Sequence, residues 1–254
     1  MKKTLKILGG AALMATLGAG PAFAIDGLTA NGQITTNYVL RGISQTANRP
    51  ALQGGLDYDT GVGVTLGTWL SSIDFGDHSP LEWDIYGAYN FKIEDIVNLS
   101  VGGIGYIYPY TGKFGPYDYF EFTATAAHDF GFASWSAKFF GDPFDMPAGF
   151  FDIKGVHPQH EYFLQTGVSV PVAPWLSLSG NIGLEAYDGA GTSNYGVWDL
   201  GATLTYDKYA LDLRYIDSSV HIPNAVLVGT QVATGVPAFA TGPFFVATFT
   251  FRFP

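Results

Sequence analysis

The chain closes on FFVATFTFRFP, residues 244–254, and the reading of that stretch decides the fold. Five of its first ten residues are phenylalanine. In an extended strand Phe245, Ala247, Phe249, Phe251 and Phe253 fall on one side and Val246, Thr248, Thr250 and Arg252 on the other, because side chains alternate across a strand. Such a strand at a sheet edge in water is a template for aggregation, and soluble proteins blunt such edges with charge, proline or a covering element. The aromatic face therefore requires cover, either a protein core or lipid.

Composition narrows the choice. Only 13% of residues are charged, against about 25% in soluble domains. Cysteine is absent, which removes disulfides and thiolate metal sites. Beyond the N-terminus no uncharged run reaches the ~20 apolar residues of a membrane helix. The first 24 residues, MKKTLKILGGAALMATLGAGPAFA, carry Lys2, Lys3 and Lys6, an apolar run, and then Ala22-Phe23-Ala24. That is the pattern of a cleaved secretory signal peptide. Its removal leaves nine basic side chains against twenty-two acidic ones, an acidic balance that argues against nucleic acid, whose phosphates demand a basic face. The expected organisation is a signal peptide over 1–24 and one domain over 25–254.

The pattern of the last strand recurs along the chain. Leu28, Ala30, Ile34, Tyr38 and Leu40 alternate with Thr29, Asn31, Gln33, Thr35 and Asn37. Leu81, Trp83, Ile85, Tyr89 and Phe91 alternate with Glu82, Asp84, Tyr86 and Asn90. The same period of two appears in YFEFTATAA (119–127), LSLSGNIGLEA (176–186) and YALDLRY (209–215), and more weakly near 50–59, 63–71, 98–108, 133–140, 161–170 and 197–206. With the closing strand, about twelve strands of membrane-spanning length result.

Connections discriminate further. Short ones fall at DYDTGVG, FKIEDIVN, HDFGFA, VPVAPW and YDKY; long ones fall at RGISQTANRP, SIDFGDHSP, YPYTGKFGPYD, GDPFDMPAGFFDIKGVHPQH, YDGAGTSNYG and Asp217 to Gly242. Long and short alternate, as in outer-membrane β-barrels with short periplasmic turns and long extracellular loops. The expected fold is all-β, a transmembrane antiparallel barrel of about 12 strands in the bacterial outer membrane. The last strand pairs with the first and turns its phenylalanines to lipid, which leaves no edge. Tyr38, Tyr58, Trp69, Tyr106, Tyr108, Trp175, Trp198, Tyr206, Tyr209 and Tyr215 lie where strands meet connections and are expected as aromatic girdles. Phe249, Phe251 and Phe253 also resemble the C-terminal assembly signal of such barrels, although Pro254 follows the final phenylalanine. The implied partners are outer-membrane lipid and the barrel-assembly machinery.

The order RGISQ (41–45), PALQGG (50–55), LGTW (66–69) and DFG (74–76) resembles the TorF family of porin-like proteins. The likeness covers roughly the first third of the chain, with looser echoes in YIYP and YDYFEF. It implies an outer-membrane barrel with a channel function, and brings no substrate or mapped functional residue with it.

Catalytic patterns are sparse. GxSxG and HExxH do not occur. GVGVTLG (61–67) has its third glycine one place too late for a dinucleotide fingerprint and leads into a strand. His157, His160 and Glu161 in HPQHE are interrupted by Pro158 and read as loop residues. No catalytic residue, metal or cofactor is expected.

If the apolar face of each strand meets lipid, its polar face lines the lumen. Parity places Glu82, Asp84, Glu121, Glu161, Glu185, Asp199 and Asp212 inside, with only Lys138, Arg214 and Arg252 from the basic side, and Arg41 at the mouth of the first strand able to turn inward. Carboxylates in excess concentrate cations. The expected function is passive diffusion of small solutes or ions with a modest cation preference. A structural or adhesin-like barrel with a blocked lumen, and an outer-membrane lipid hydrolase, stand as alternatives.

Overall fold

The computed structural model describes residues 25–75, 80–94, 96–109, 118–142, 160–188, 194–219, 226–228, 231–233 and 240–253; the 1–24 segment lies outside them. Sixteen strands occur in it, and twelve of them form one closed antiparallel barrel. The wall begins with β1 (Leu28–Thr35), after which a small hairpin, β2 (Val39–Leu40) and β3 (Ile43–Ser44), stands apart from it. The wall resumes with β4 (Ala51–Asp59), β5 (Val64–Ser72), β6 (Leu81–Ile93), β7 (Val97–Ile107), β8 (Tyr119–Asp129) and β9 (Ser134–Gly141). It continues through β10 (Glu161–Ala173), β11 (Leu176–Tyr187), β12 (Tyr195–Tyr206) and β13 (Tyr209–Ser218). A second hairpin, β14 (Val226–Val228) with β15 (Gln231–Ala233), precedes the last wall strand, β16 (Phe244–Phe253).

Each wall strand pairs with its sequence neighbour in the wall, and the ring closes where β16 pairs with β1, from Ala30 opposite Phe253 to Thr35 opposite Thr248. Phe251 lies across Gly32 of β1, where an added Cβ would stand 2.6 Å from its ring. The missing side chain on one strand is thus filled by an aromatic from the other, and closure satisfies backbone groups that an open sheet would leave unpaired.

Connections alternate as the sequence indicates. At the end that holds both termini, the turns include 60–63, 94 and 96, 130–133, 174–175 and 207–208. In two of them an aspartate accepts from a glycine amide two residues on, Gly61 N to Asp59 Oδ1 at 2.9 Å and Gly131 N to Asp129 Oδ1 at 2.8 Å, and these glycines have φ of 78° and 86°, a conformation costly for other residues. The opposite end carries the longer connections; we call these the turn end and the loop end.

The two faces separate by chemistry. Leu52, Leu66, Leu164, Ile182, Leu200 and Phe245 are exposed on the outside, while Gln53, Ser71, Glu82, Glu121, Glu185 and Thr250 are buried inside. A soluble barrel would reverse this arrangement.

Four aromatics expected in the girdles do not stand there. Tyr106 and Tyr108 are buried, Tyr38 packs against the same inner cluster, and Trp69 lies over Gly55 on the inner face. The tyrosine hydroxyls are donors whose acceptors, Glu82 and Glu121, are inside, and the Trp69 ring fills the space Gly55 leaves. Trp175, Trp198, Tyr58, Tyr206 and Tyr209 are exposed.

Candidate functional site: an arginine strap across the lumen

The connection from β1 to β4, residues 36–50, does not extend away from the barrel. Its hairpin turns on Arg41 and Gly42, with φ of 49° and 79°. Two consecutive positive-φ residues between paired strands make the tight turn that matches strand twist. Glycine is required at the second position, because a Cβ there would approach the Ser218 Cβ to 2.8 Å. Polar residues that would ordinarily face water are buried behind the turn: Ser44, Gln45 and Thr46. Ser44 Oγ donates to Asn37 Oδ1 at 2.6 Å, Gln45 N donates to Tyr38 O at 2.7 Å, and Asn48 N donates to Ser44 Oγ at 2.9 Å. Backbone bonds from Ser44 N to Ala240 O and from Asp74 N to Gln45 O, each 2.9 Å, tie the segment to other connections at the loop end. It is a folded strap.

The strap carries Arg41 from β1 to the opposite wall. In the ring order β9 and β10 lie half-way round from β1, and there the guanidinium docks. Nη2 donates to both carboxylate oxygens of Glu121 on β8, at 2.6 and 2.8 Å, and Nη1 donates to Glu161 Oε1 on β10 at 2.7 Å. Glu185 Oε2 on β11 stands 3.7 Å from Nη1. The rings of Phe140 and Phe163 lie 5.1 and 4.9 Å from the guanidinium carbon, within cation–π reach. The Arg41 side chain is 6% exposed and those of Glu121 and Glu185 are 0%. Burial alone would lower the Arg41 pKa, but Glu121, Glu185 and Glu161 outweigh it and hold it well above its ordinary value, so the guanidinium is charged at any working pH.

Beside this contact a second acid is clamped by phenols. Tyr38 Oη donates to Glu82 Oε1 at 2.7 Å and Tyr108 Oη to Glu82 Oε2 at 2.8 Å, while Tyr106 Oη donates to Glu121 Oε2 at 2.9 Å. Burial, together with Glu82 and Asp84, raises the Tyr38 phenol well above its ordinary pKa; burial and Glu82 do the same for Tyr108. Asp84 is buried on the same strand as Glu82, and its Oδ1 has no hydrogen-bond partner.

A further inner-face group lies on β11 to β13. The Arg214 guanidinium bonds Asp212 at 3.0 Å, Ser179 Oγ at 2.9 Å, and Asp199. Thr203 Oγ1 donates to Asp212 at 2.6 Å and Asn181 Nδ2 to Asp199 at 2.8 Å. The guanidinium lies flat over Gly201, where a Cβ would meet its carbon at 2.6 Å. Lys138 stands on β9, in register with Thr125 and Gln165, and Arg252 on β16 opposite Asn31.

The structure therefore gathers Arg41, Glu121, Glu161 and Glu185 at one site, sets Glu82 and Asp84 beside it, and groups Asp199, Asp212 and Arg214 at another. Arg41, read as able to turn inward from the mouth of the first strand, reaches across to the far wall, where the positive-φ turn carries it. One inner-face acid escaped the sequence reading, Asp57, which accepts from Tyr86 Oη at 2.6 Å; strand parity was the signal that would have found it. His157, with all of 144–159, and most of 220–239 lie outside the described residues. Among the described residues no group of three or more histidine, aspartate or glutamate side chains is placed to hold a metal ion.

A closed twelve-stranded antiparallel barrel with an apolar exterior and a charged interior defines an outer-membrane barrel fold. The sequence matches the family described as "Bacterial protein of unknown function (Gcw_chp)" over residues 19–241, and the chain belongs to it. No curated protein matches the sequence. Among solved structures the fold is similar to the KdgM porin, at 7% identity and a TM-score of 0.55, covering 89% of this chain and 99% of that one. A KdgM porin complex with disordered oligogalacturonate aligns at 7% identity and a TM-score of 0.53, with the same coverage.

Proposed function

We propose that this protein is an outer-membrane channel for passive diffusion of small solutes or ions, with a modest preference for cations. The observation that carries the reading is the inner face itself: a barrel greasy outside and lined with carboxylates inside, narrowed by a folded strap. The resemblance of residues 37–91 to the TorF family points the same way. In this reading the turn end faces the periplasm, the strap faces the exterior, residues 1–24 are removed on export, and the Phe249, Phe251 and Phe253 strand engages the assembly machinery.

The acid excess at Glu82, Asp84, Glu121, Glu161, Glu185, Asp199 and Asp212, opposed by Arg41, Lys138, Arg214 and Arg252, suits cations. It does not suit a polyuronate such as the oligogalacturonate bound to KdgM, because every uronic acid unit would add a negative charge. A reversal potential across a planar bilayer under a salt gradient tests this. The expected sign is cation-selective, weakening toward molar salt, where the screening length falls to about 3 Å. An anion-selective sign would overturn the preference.

The strap supports a second reading, an occluded structural barrel, since its arginine is buried on the far wall. Absence of any conductance from a protein that migrates as a folded barrel would favour it over the channel.

A further inference from the structure

The contact between Arg41 and the far wall has two sides, and the wall side is complete without the arginine. Glu121, Glu161 and Glu185 come from β8, β10 and β11, and Phe140 and Phe163 from β9 and β10. All five are fixed by barrel pairing that involves no strap residue. Carboxylates converging on one point with two aromatic faces beside it are what a guanidinium requires.

Arg41 uses this pocket incompletely. Its Nε is buried with no acceptor, and neither carboxylate oxygen of Glu185 accepts a hydrogen bond although that side chain is fully buried. A guanidinium tethered at the tip of a hairpin has one approach direction, which serves Glu121 and Glu161 and leaves Glu185 at 3.7 Å. A free guanidinium carries donors on three nitrogens and takes its own orientation.

We infer that the Glu121, Glu161, Glu185, Phe140 and Phe163 pocket is a binding subsite for guanidinium-bearing organic cations, with Arg41 as its resident and displaceable ligand. The inference rests on the channel reading and gives it a solute class. Displacement needs only rotation of the Arg41 side chain: the strap is held by Ser44, Gln45 and Asn37, behind the turn. A solute cation then exchanges with the tethered one, so the buried carboxylates keep a counter-ion throughout.

The test is binding of methylguanidinium, with neutral methylurea as the matched control, to the full-length refolded barrel, followed by its thermal unfolding at millimolar ligand. Arg41→Ser removes the resident competitor, whose effective concentration is in the millimolar range or above. Methylguanidinium is expected to bind this variant about tenfold or more tightly than wild type, and methylurea not at all. Adding Glu121→Gln should weaken that binding at least about tenfold, the scale of a lost charged hydrogen bond.

A folded Arg41→Ser barrel that binds methylguanidinium no better than methylurea would overturn the inference. Should Arg41→Ser not refold, Arg41→Lys provides the comparison, since one ammonium nitrogen replaces the two that serve Glu121 and Glu161; equal affinity in Arg41→Lys and wild type would overturn it as well. Thermal unfolding needs no current. Binding without conductance would refute the channel and leave the subsite standing, whereas conductance without binding would refute the subsite alone.

Discussion

Replacing Arg41 with methionine tests whether the strap contact is a desolvated ion pair or a surface one. Methionine keeps an unbranched stem of about the length that reaches Nε and removes the charged guanidinium head. Glu121 then keeps only its hydrogen bond from Tyr106, and Glu161 loses a donor at 2.7 Å. Exposed pairs are worth about 0–1 kcal/mol, whereas breaking a buried pair costs about 3–5 kcal/mol because the remaining charge is stranded. With the Arg41 side chain 6% exposed and that of Glu121 at 0%, the larger figure applies. The loss appears as global destabilisation up to the free energy that holds the strap, and beyond that as strap release. The assay is urea unfolding of the refolded barrel followed by tryptophan fluorescence, with limited proteolysis of 36–50 in parallel. The triple variant Arg41→Met, Glu121→Gln, Glu161→Gln should recover most of the loss, a non-additivity of about 2 kcal/mol or more. A loss under about 0.5 kcal/mol with unchanged proteolysis would refute burial of the cluster.

Three further outcomes are expected. Gly42→Ala should cost about 1–3 kcal/mol of strap stability through its positive φ and the approach to Ser218, read as faster cleavage of 36–50 with the wall's heat-resistant gel mobility retained. Native protein should release fewer phenolic protons near pH 10 than unfolded protein, because Tyr38 and Tyr108 have raised pKa values. Their contribution to stability is complete below about pH 10, the unfolded value, and is lost as pH rises above it; ultraviolet titration of native wild type against native Tyr38→Phe measures it, and a wild-type curve that releases one more phenolic proton near pH 10 than the variant would refute the phenol clamp on Glu82. Phe251→Ser with Phe253→Ser should lower outer-membrane levels and heat stability, since Phe251 fills the space over Gly32 at the seam; wild-type abundance and stability would count against that role.

The wall was legible in the sequence because its physics is local. FFVATFTFRF and LEWDIYGAYNF fix which side of each strand is apolar, and the alternation of DYDTGVG-type turns with longer connections fixes the antiparallel order. The strap was not legible, because its position depends on residues far along the chain. RGISQ reads as an outer loop by composition, and only the pairing of Arg41 with Gly42 between Val39-Leu40 and Ile43-Ser44 marks a tight hairpin. Nothing local says that the tip meets Glu161, 120 residues away. The girdle assignments of Tyr38, Trp69, Tyr106 and Tyr108 erred for the same reason: position near a strand end does not tell a tyrosine that its acceptor lies within.

The pairing of β16 with β1 also orders events in time. Every other wall contact joins strands adjacent along the wall, and closing a loop of ten residues costs about 2 kcal/mol in chain entropy. The seam bond between Thr35 and Thr248 spans 213 residues, for which the same relation gives about 5 kcal/mol. Hairpins can zip one after another, but the ring stays open until β16 exists and returns to the first strand. A ribosome that stops short of Phe244 leaves a curved sheet with two bare edges, so only a chain synthesised through β16 can become a barrel.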